Sequence, residues 1–276
     1  MLIHYGFEIA ISLPRPTPVI CLLDVHPERR QDINSEAPFL AVPATPSMTY
    51  LDGFGNQCRR LMAPAGDVTF RLDGAIVDSG KTDERNPAAR EVPVQQLPHH
   101  ILTFLLGSRY CETDRLSQTA WDLFGGIEPG WKRVQAVCDF VHNHLTFGYK
   151  HARSTRTALE AFEERKGVCR DFAHLMIALC RALNIPARYV NGYLGDIGVP
   201  KDPAPMDFSA WVEVYLEGRW YTFDARHNKP RTGRVVIARG RDATDVAMIN
   251  SFGPHTLTTF KVWTDEVVTA PQAVSA

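Results

Sequence analysis

Gly167-Val168-Cys169-Arg170-Asp171-Phe172-Ala173-His174-Leu175-Met176 is the stretch on which the reading of this chain turns. Apolar residues recur at Phe172, Leu175, Met176, Leu179 and Leu183, the i, i+3, i+4, i+7 stripe of a helix buried along one face. The stripe predicts a helix with Cys169 in its first turn. Unpaired backbone N–H groups and the positive end of the helix dipole point at that turn, and both favour a thiolate over a thiol. A nucleophilic cysteine uses this placement. Asn184-Ile185-Pro186 ends the helix, because proline cannot extend it and biases the preceding residue away from helical angles. A free cysteine is ordinarily a small buried apolar residue; the downstream sequence is what gives Cys169 a chemical reading.

Ala187 to Leu194 reads as a strand, and Gly195 to Phe208, rich in Gly, Pro and Asp, is long enough to be a functional loop at a cleft mouth. Two further strands, Ser209 to Leu216 and Arg219 to Asp224, flank Glu217-Gly218. A two-residue turn there sets Trp211 opposite Asp224. Position 209 then lies on the same face, diagonal to Asp224 at about 7–8 Å, where an imidazole could be held by the carboxylate while serving Cys169 as base. The residue is Ser209. Its hydroxyl cannot accept a proton near neutral pH.

Upstream of the cysteine, Thr157-Ala-Leu-Glu160 is a capping-box pattern opening a short helix. Trp131 to Leu145 carries Val134, Val137, Cys138, Val141 and Leu145 at helical spacing after Pro129-Gly130; His142 and His144 fall at its polar edge. Pro, Gly and charged residues gather from Asp78 to Pro98, which predicts a domain boundary. Before it, residues 1–95 read as strands: His4 to Ile11, Pro18 to Val25, Ser47 to Leu51 and Gln57 to Met62 paired across Asp52-Gly53-Phe54-Gly55-Asn56, then Val68 to Leu72 and Gly74 to Val77. This is an antiparallel β-sandwich pattern. Residues 96–250 form the core that carries Cys169. Residues 251–276 comprise a closing strand, with Thr256 to Val262 alternating, that returns to the N-terminal β layer, and a tail.

Composition excludes several classes. A chain of 276 residues, 45% hydrophobic and 22% charged, can bury a large core. A net charge of -1 gives no reason to expect nucleic acid or an anionic membrane as partner. The six cysteines form no CxxC pair and the ten histidines no HExxH, which argues against a structural metal, a metal cofactor and a disulfide framework. A reducing cytoplasm is the expected compartment. Met1 to Glu8 lacks a basic signal-peptide region, and no run approaches the roughly 20 apolar residues of a membrane span.

Gly167-Val-Cys-Arg-Asp-Phe-Ala-His-Leu175, then Ile185-Pro-Ala-Arg-Tyr-Val-Asn-Gly-Tyr193, then Ala210-Trp-Val-Glu213 and Phe223-Asp224 closely resemble the bacterial transglutaminase-like superfamily over about residues 100–250. The resemblance implies an α+β fold, with a papain-like core in which the cysteine helix packs on an antiparallel sheet behind the β-sandwich. It also implies a Cys-His-Asp triad acting on peptide or protein amides through a thioester, as peptidase, amidase or acyl transferase. Cys169 matches the nucleophile and Asp224 the acid. The family's histidine usually begins a His-Ala-Trp run, replaced here by Ser209-Ala210-Trp211. Three readings follow. His227 supplies the base, although an odd offset from Asp224 points it to the opposite face if the strand continues; His174 is the second candidate but suits a structural hydrogen bond better. Alternatively Cys169 reacts without an imidazole, with Arg170 supporting the thiolate and water bridging Ser209. In the serine-protease triad, loss of one member leaves roughly 10³–10⁴ of catalysis over water. The third reading is a catalytically silent peptide-binding or assembly module. Tyr149, Arg170, Asp171 and Trp211 are the candidate substrate contacts, and Gly240 to Asp245 reads as an ion-paired loop bracing the site. Hydrolysis is preferred to cross-linking because the sequence suggests no calcium site, zymogen segment or basic docking surface.

Overall fold

The computed structural model describes residues 1–268, so the last residues of the anticipated C-terminal tail lie outside the described residues. Strands open the chain: β1 (Leu2–Leu13), β2 (Thr17–Cys21), β3 (Ile33–Glu36), β4 (Leu40–Val42), β5 (Ser47–Leu51), β6 (Gln57–Ala63) and β7 (Gly66–Val77). Helices follow, namely α1 (Thr113–Phe124), α2 (Trp131–His144), α3 (Ala158–Glu164) and α4 (Cys169–Ala182), with the short strands β8 (Thr146–Phe147) and β9 (Lys166–Gly167) between them. The chain then runs through β10 (Ala187–Leu194), β11 (Ser209–Leu216), β12 (Arg219–Phe223), β13 (Arg234–Gly240), β14 (Ile249–Ser251) and β15 (Thr256–Glu266).

Two antiparallel sheets make the N-terminal layer, one ordered β15-β1-β7-β3 with β4 also on β7, the other β14-β2-β6-β5. The β5–β6 hairpin pairs Leu51 with Gln57, and Asp52 closes its turn by accepting from the N–H groups of Phe54 and Asn56. Val68 to Leu72 and Gly74 to Val77 are one strand rather than two. Gly74 is a close-approach residue, since a Cβ there would stand 2.9 Å from the Tyr5 ring. The chain returns to this layer earlier than residue 251, because Ile249 already pairs with Cys21 on β2. Thr256–Glu266 then pairs along most of β1.

The second half is built on the antiparallel sheet β12-β11-β10-β13, and α4 packs against β10 and β11 with α1, α2 and α3 around it. The apolar stripe predicts burial on one face, yet every residue from Asp171 to Ala182 is buried. The opposite face carries Asp171, His174 and Arg181, and each finds a partner inside the protein, as buried polar groups must. Arg181 donates to the carbonyl oxygens of Ala187 at 2.8 Å, Leu106 at 3.0 Å and Arg241 at 2.6 Å. His174 Nε2 accepts the Ala243 N–H at 3.1 Å, in a slot where Tyr110 stacks on its ring. Burial holds this imidazole at a pKa of about 3, despite the opposing pull of Asp242, so it is a structural hydrogen-bond acceptor.

Behind the sheet, Glu213 on β11 is buried between Arg188 on β10, 2.6 Å away, and Arg239 on β13, 3.0 Å away. Burial opposes its ionisation, but the two guanidinium groups hold its pKa below the usual carboxylate value. Glu213→Ala leaves two buried cations short of an acceptor and is expected to cost about 3–5 kcal/mol, read as a lower urea midpoint. Because the folded carboxyl is depressed, wild-type stabilisation from this group is complete above the unfolded pKa of about 4.3 and declines as pH falls through the folded value. The variant should therefore lose its deficit relative to wild type in acid.

Candidate active site

Four local devices position Cys169. Thr157 caps α3 with both halves of the box formed, its hydroxyl accepting from Glu160 N–H and Glu160 accepting from Thr157 N–H. Arg165 leaves that helix in the left-handed region, φ 54°. β8 and β9 then pair in parallel, bringing Gly167 to the start of α4. A Cβ on Gly167 would meet Asp171 Cβ at 2.5 Å; the glycine is what lets Asp171 fold back over the turn. The Asp171 carboxyl accepts from Val168 N–H at 2.9 Å and from Arg156 at 2.9 Å. Asp171 is 1% exposed and lines neither the cavity at Cys169 nor the one at His227. It therefore fixes the helix entry and does not serve as the substrate contact read from sequence. Cys169 is the first helical residue, so its N–H has no acceptor within the helix and is free to face an oxyanion.

The hairpin has the anticipated two-residue turn, with Leu216 opposite Arg219 and Val212 opposite Phe223. Glu217 and Gly218 hold it in left-handed backbone, φ 50° and 83°. The strand ends at Phe223, and this resolves the side on which His227 lies. From Asp224 the chain turns, with Asn228 N–H donating to Asp224 O at 2.7 Å, and the histidine folds back. His227 Nδ1 stands 2.9 Å from Asp224 Oδ2, while His227 N–H donates to Oδ1 at 3.2 Å. Arg234 on β13 donates to the same Oδ2 at 2.9 Å. Burial would raise the Asp224 carboxyl, but Arg234 and His227 outweigh it and hold the group far below the usual carboxylate range. It is an ionised, hydrogen-bonded acid beneath an imidazole.

Two adjoining cavities meet at this point. One, of about 790 Å3, is lined by Cys169, Arg170, Tyr189, Asp207 and Ser209. The other, of about 250 Å3, is lined by Tyr149, Asp207, Ser209, Arg226 and His227. Ser209 and Asp207 belong to both, so the cysteine and the histidine lie on either side of a shared wall. Arg170 reaches back to Ser154 O at 2.9 Å and to Arg153 O, and its guanidinium stands over Tyr110; it braces the cavity edge. Trp211 is 1% exposed beneath the Arg234 guanidinium and lines neither cavity, so it is core rather than substrate wall. The bracing loop is ion-paired, Arg241 donating to both Asp245 oxygens at 2.9 and 3.0 Å. Asp242 within it accepts the N–H of Tyr110 at 2.8 Å.

Arg226, Asp207 and Arg234 are the residues that sequence reading passes over. Arg226 lies over the Phe147 ring, 3.9 Å from its centroid, and its position between Asp224 and His227 was the available signal. The thiol departs from expectation. Burial pushes Cys169 up to about 11, with Asp207 and Asp224 adding to the rise, against the lowering influence of Arg226 and of the Ala210 N–H. Desolvation outweighs Arg226 and the Ala210 N–H, which favours the thiol at rest. All six cysteines are free, and Cys169 alone is not fully buried.

Comparison with known proteins places the fold in a family. The sequence model of the transglutaminase-like superfamily matches residues 117–225. The crystal structure of a protein from Cytophaga hutchinsonii, described as a candidate cysteine protease, is similar with a TM-score of 0.83 at 31% identity, over 98% of this chain and 92% of that one. An uncharacterised protein of Mycobacterium leprae is 26% identical over 221 residues, 75% of this chain and 76% of the relative. One of Mycobacterium tuberculosis is 36% identical over 143 residues, 46% of its length. The chain belongs to the transglutaminase-like superfamily. No helix among the described residues is long and apolar enough to cross a membrane.

A resting thiol makes a definite demand on reactivity. Iodoacetamide labelling of Cys169 should rise about tenfold per pH unit from about pH 6 to about pH 9, without a neutral plateau. Arg226→Ala, which removes the lowering charge, should slow it further at each pH. A plateau reached below about pH 7, read by mass spectrometry of the Cys169 peptide, would instead reveal a thiolate at rest.

Proposed function

We propose that the protein is a cysteine-dependent amide hydrolase in which His227 takes the place of the histidine absent from position 209. The observation that carries this reading is the 2.9 Å contact between His227 Nδ1 and Asp224 Oδ2, at a cavity that shares Ser209 and Asp207 with that of Cys169. Asp224 fixes the tautomer with the proton on Nδ1, which leaves Nε2 as the accepting nitrogen. The histidine takes the thiol proton as sulfur attacks the amide carbon, and the Cys169 N–H faces the developing oxyanion. Collapse breaks the C–N bond, and the histidine hands its proton to the departing amine. Water then attacks the thioester, giving a proton to the same imidazole; the acid leaves and the thiol is restored. In this scheme the proton moves during attack, which suits a cysteine that rests protonated. Ser209 acts as wall rather than base.

The elevated thiol also favours a second reading, a silent module that binds peptide in the same cleft. Hydrolysis of a casein-derived peptide mixture, followed by mass spectrometry, separates the two. Cys169→Ala is expected to abolish cleavage, His227→Gln to lower kcat by about 10²–10⁴, and Ser209→Ala to leave kcat within a few-fold. Absence of cleavage by wild type, with peptides still retained by the Cys169→Ala protein, would select the silent module.

A further inference from the structure

We propose that the substrate presents a bulky apolar acyl side, seated between the core and the N-terminal sheet, and a polar amine side. The inference rests on the hydrolase reading above and adds to it the direction in which the substrate lies.

The two cavities that share Asp207 and Ser209 differ in chemistry. In the larger, Tyr189 and Phe208 from the core face Ile9 and Ile11 of β1 and Leu257 and Phe260 of β15. The strand register brings the last four together, with Ile9 opposite Phe260 and Ile11 opposite Leu257, and cross-strand partners project on one face of a sheet. The N-terminal sheet thus supplies one wall of the cavity. Its volume of about 790 Å3 is that of a site for a ligand of drug size. Leu257 is 54% exposed and Phe260 36% exposed, apolar surface left at the cavity rim for an occupant to cover. The smaller cavity carries Arg226, Lys229, Arg231, Asp196, Asp202 and His227, groups that remain solvated or paired with a polar occupant.

The direction follows from the proton. The amine nitrogen must receive its proton from the histidine as the C–N bond breaks, so the amine lies on the His227 side, in the polar cavity. The carbonyl carbon is bonded to sulfur at that stage, so the acyl chain extends the other way, past Cys169 into the apolar cavity. The β-sandwich is therefore a specificity element that selects the acyl half of the substrate.

Peptidyl chloromethyl ketones test this without requiring turnover. Sulfur displaces chloride from the methylene carbon, and the peptide occupies the acyl side alone. Rates of Cys169 modification would be measured by mass spectrometry with benzyloxycarbonyl-Leu-Phe-chloromethyl ketone, with its Gly-Ser counterpart and with iodoacetamide. Wild type should react at least about tenfold faster with the Leu-Phe reagent, corresponding to about 1.4 kcal/mol or more of apolar contact. Leu257→Ser combined with Phe260→Ser, both at the rim, should bring that ratio close to one while the iodoacetamide rate stays as in wild type. Equal rates for the two peptidyl reagents, with normal iodoacetamide labelling, would overturn the apolar acyl site and leave the hydrolase reading standing. Failure of all three reagents to modify Cys169 at about pH 9 would overturn both.

Discussion

A buried carboxylate held by a guanidinium and an imidazole organises this protein. Asp224 lies at the end of β12, and its Oδ2 receives both Arg234 and the His227 ring at 2.9 Å. Removing either partner would leave a charge in a medium that solvates it poorly, so the three groups constrain one another. Arg234 also donates to both oxygens of Asp83, at 2.9 and 3.1 Å. Asp83 belongs to the segment that joins the sandwich to the core and accepts the N–H of Arg231 as well. The connection between layers, the fourth strand of the core sheet and the orientation of the imidazole thus depend on one chain of charge-assisted hydrogen bonds. These are stronger than neutral ones and more directional. An imidazole fastened this way keeps one tautomer and one orientation.

The cysteine helix shows the complementary constraint. A helix buried all round has no solvent face on which to place polar side chains, and α4 instead uses three as fasteners. Asp171 closes its N-terminus, His174 accepts from the Ala243 backbone, and Arg181 collects carbonyl oxygens from three separate segments. The thiol lies just outside that enclosed stretch, at the cavity, and is raised by local desolvation with Asp207 and Asp224 adding to it. A helix dipole contributes a few tenths to about 2 kcal/mol near its end, whereas loss of hydration penalises the charged form by more when little water reaches the sulfur. Arg226 narrows the gap but does not close it.

Much of this was legible in the chain because the signals are local. The α4 stripe, the Thr157 capping box and the Glu217-Gly218 turn each act within a few residues, and the turn alone set the hairpin register. What escaped the sequence is long-range. β13 begins and ends near arginines, Arg234 and Arg239, whose partners Asp224, Asp83, Glu213 and Glu28 come from other parts of the chain. Strand alternation continued past Asp224 points His227 to the opposite face; the strand stops at Phe223, and the turn brings the ring back to Asp224. Trp211 and Asp171 were drawn toward the site by proximity in sequence to Ser209 and Cys169, but their neighbours in space are Arg234 and Arg156. The thiol's elevation reflects local desolvation together with Asp207 and Asp224 nearby, which no spacing pattern reports.

Serine at position 209 has a consequence beyond the loss of an imidazole. Ser209 opens β11 opposite Gly192, and a Cβ on Gly192 would meet Val235 O at 2.3 Å and the Trp211 ring at 2.7 Å. Backbone and ring pack so closely there that the strand cannot shift to make room. A large side chain at 209 would have to extend into the boundary between the two cavities, which Ser209 shares with Asp207. A small side chain leaves that boundary thin, with His227 lining the cavity on one side of it and Cys169 the cavity on the other. In the proposed mechanism the imidazole sits on a turn instead of a strand, which exchanges the rigidity of the sheet for that of the Arg234–Asp224 pair. Since both oxygens of Asp224 bond to His227, one to its ring and one to its backbone, the turn is held at two points. Two points define the direction of a short segment where one would leave it free to pivot.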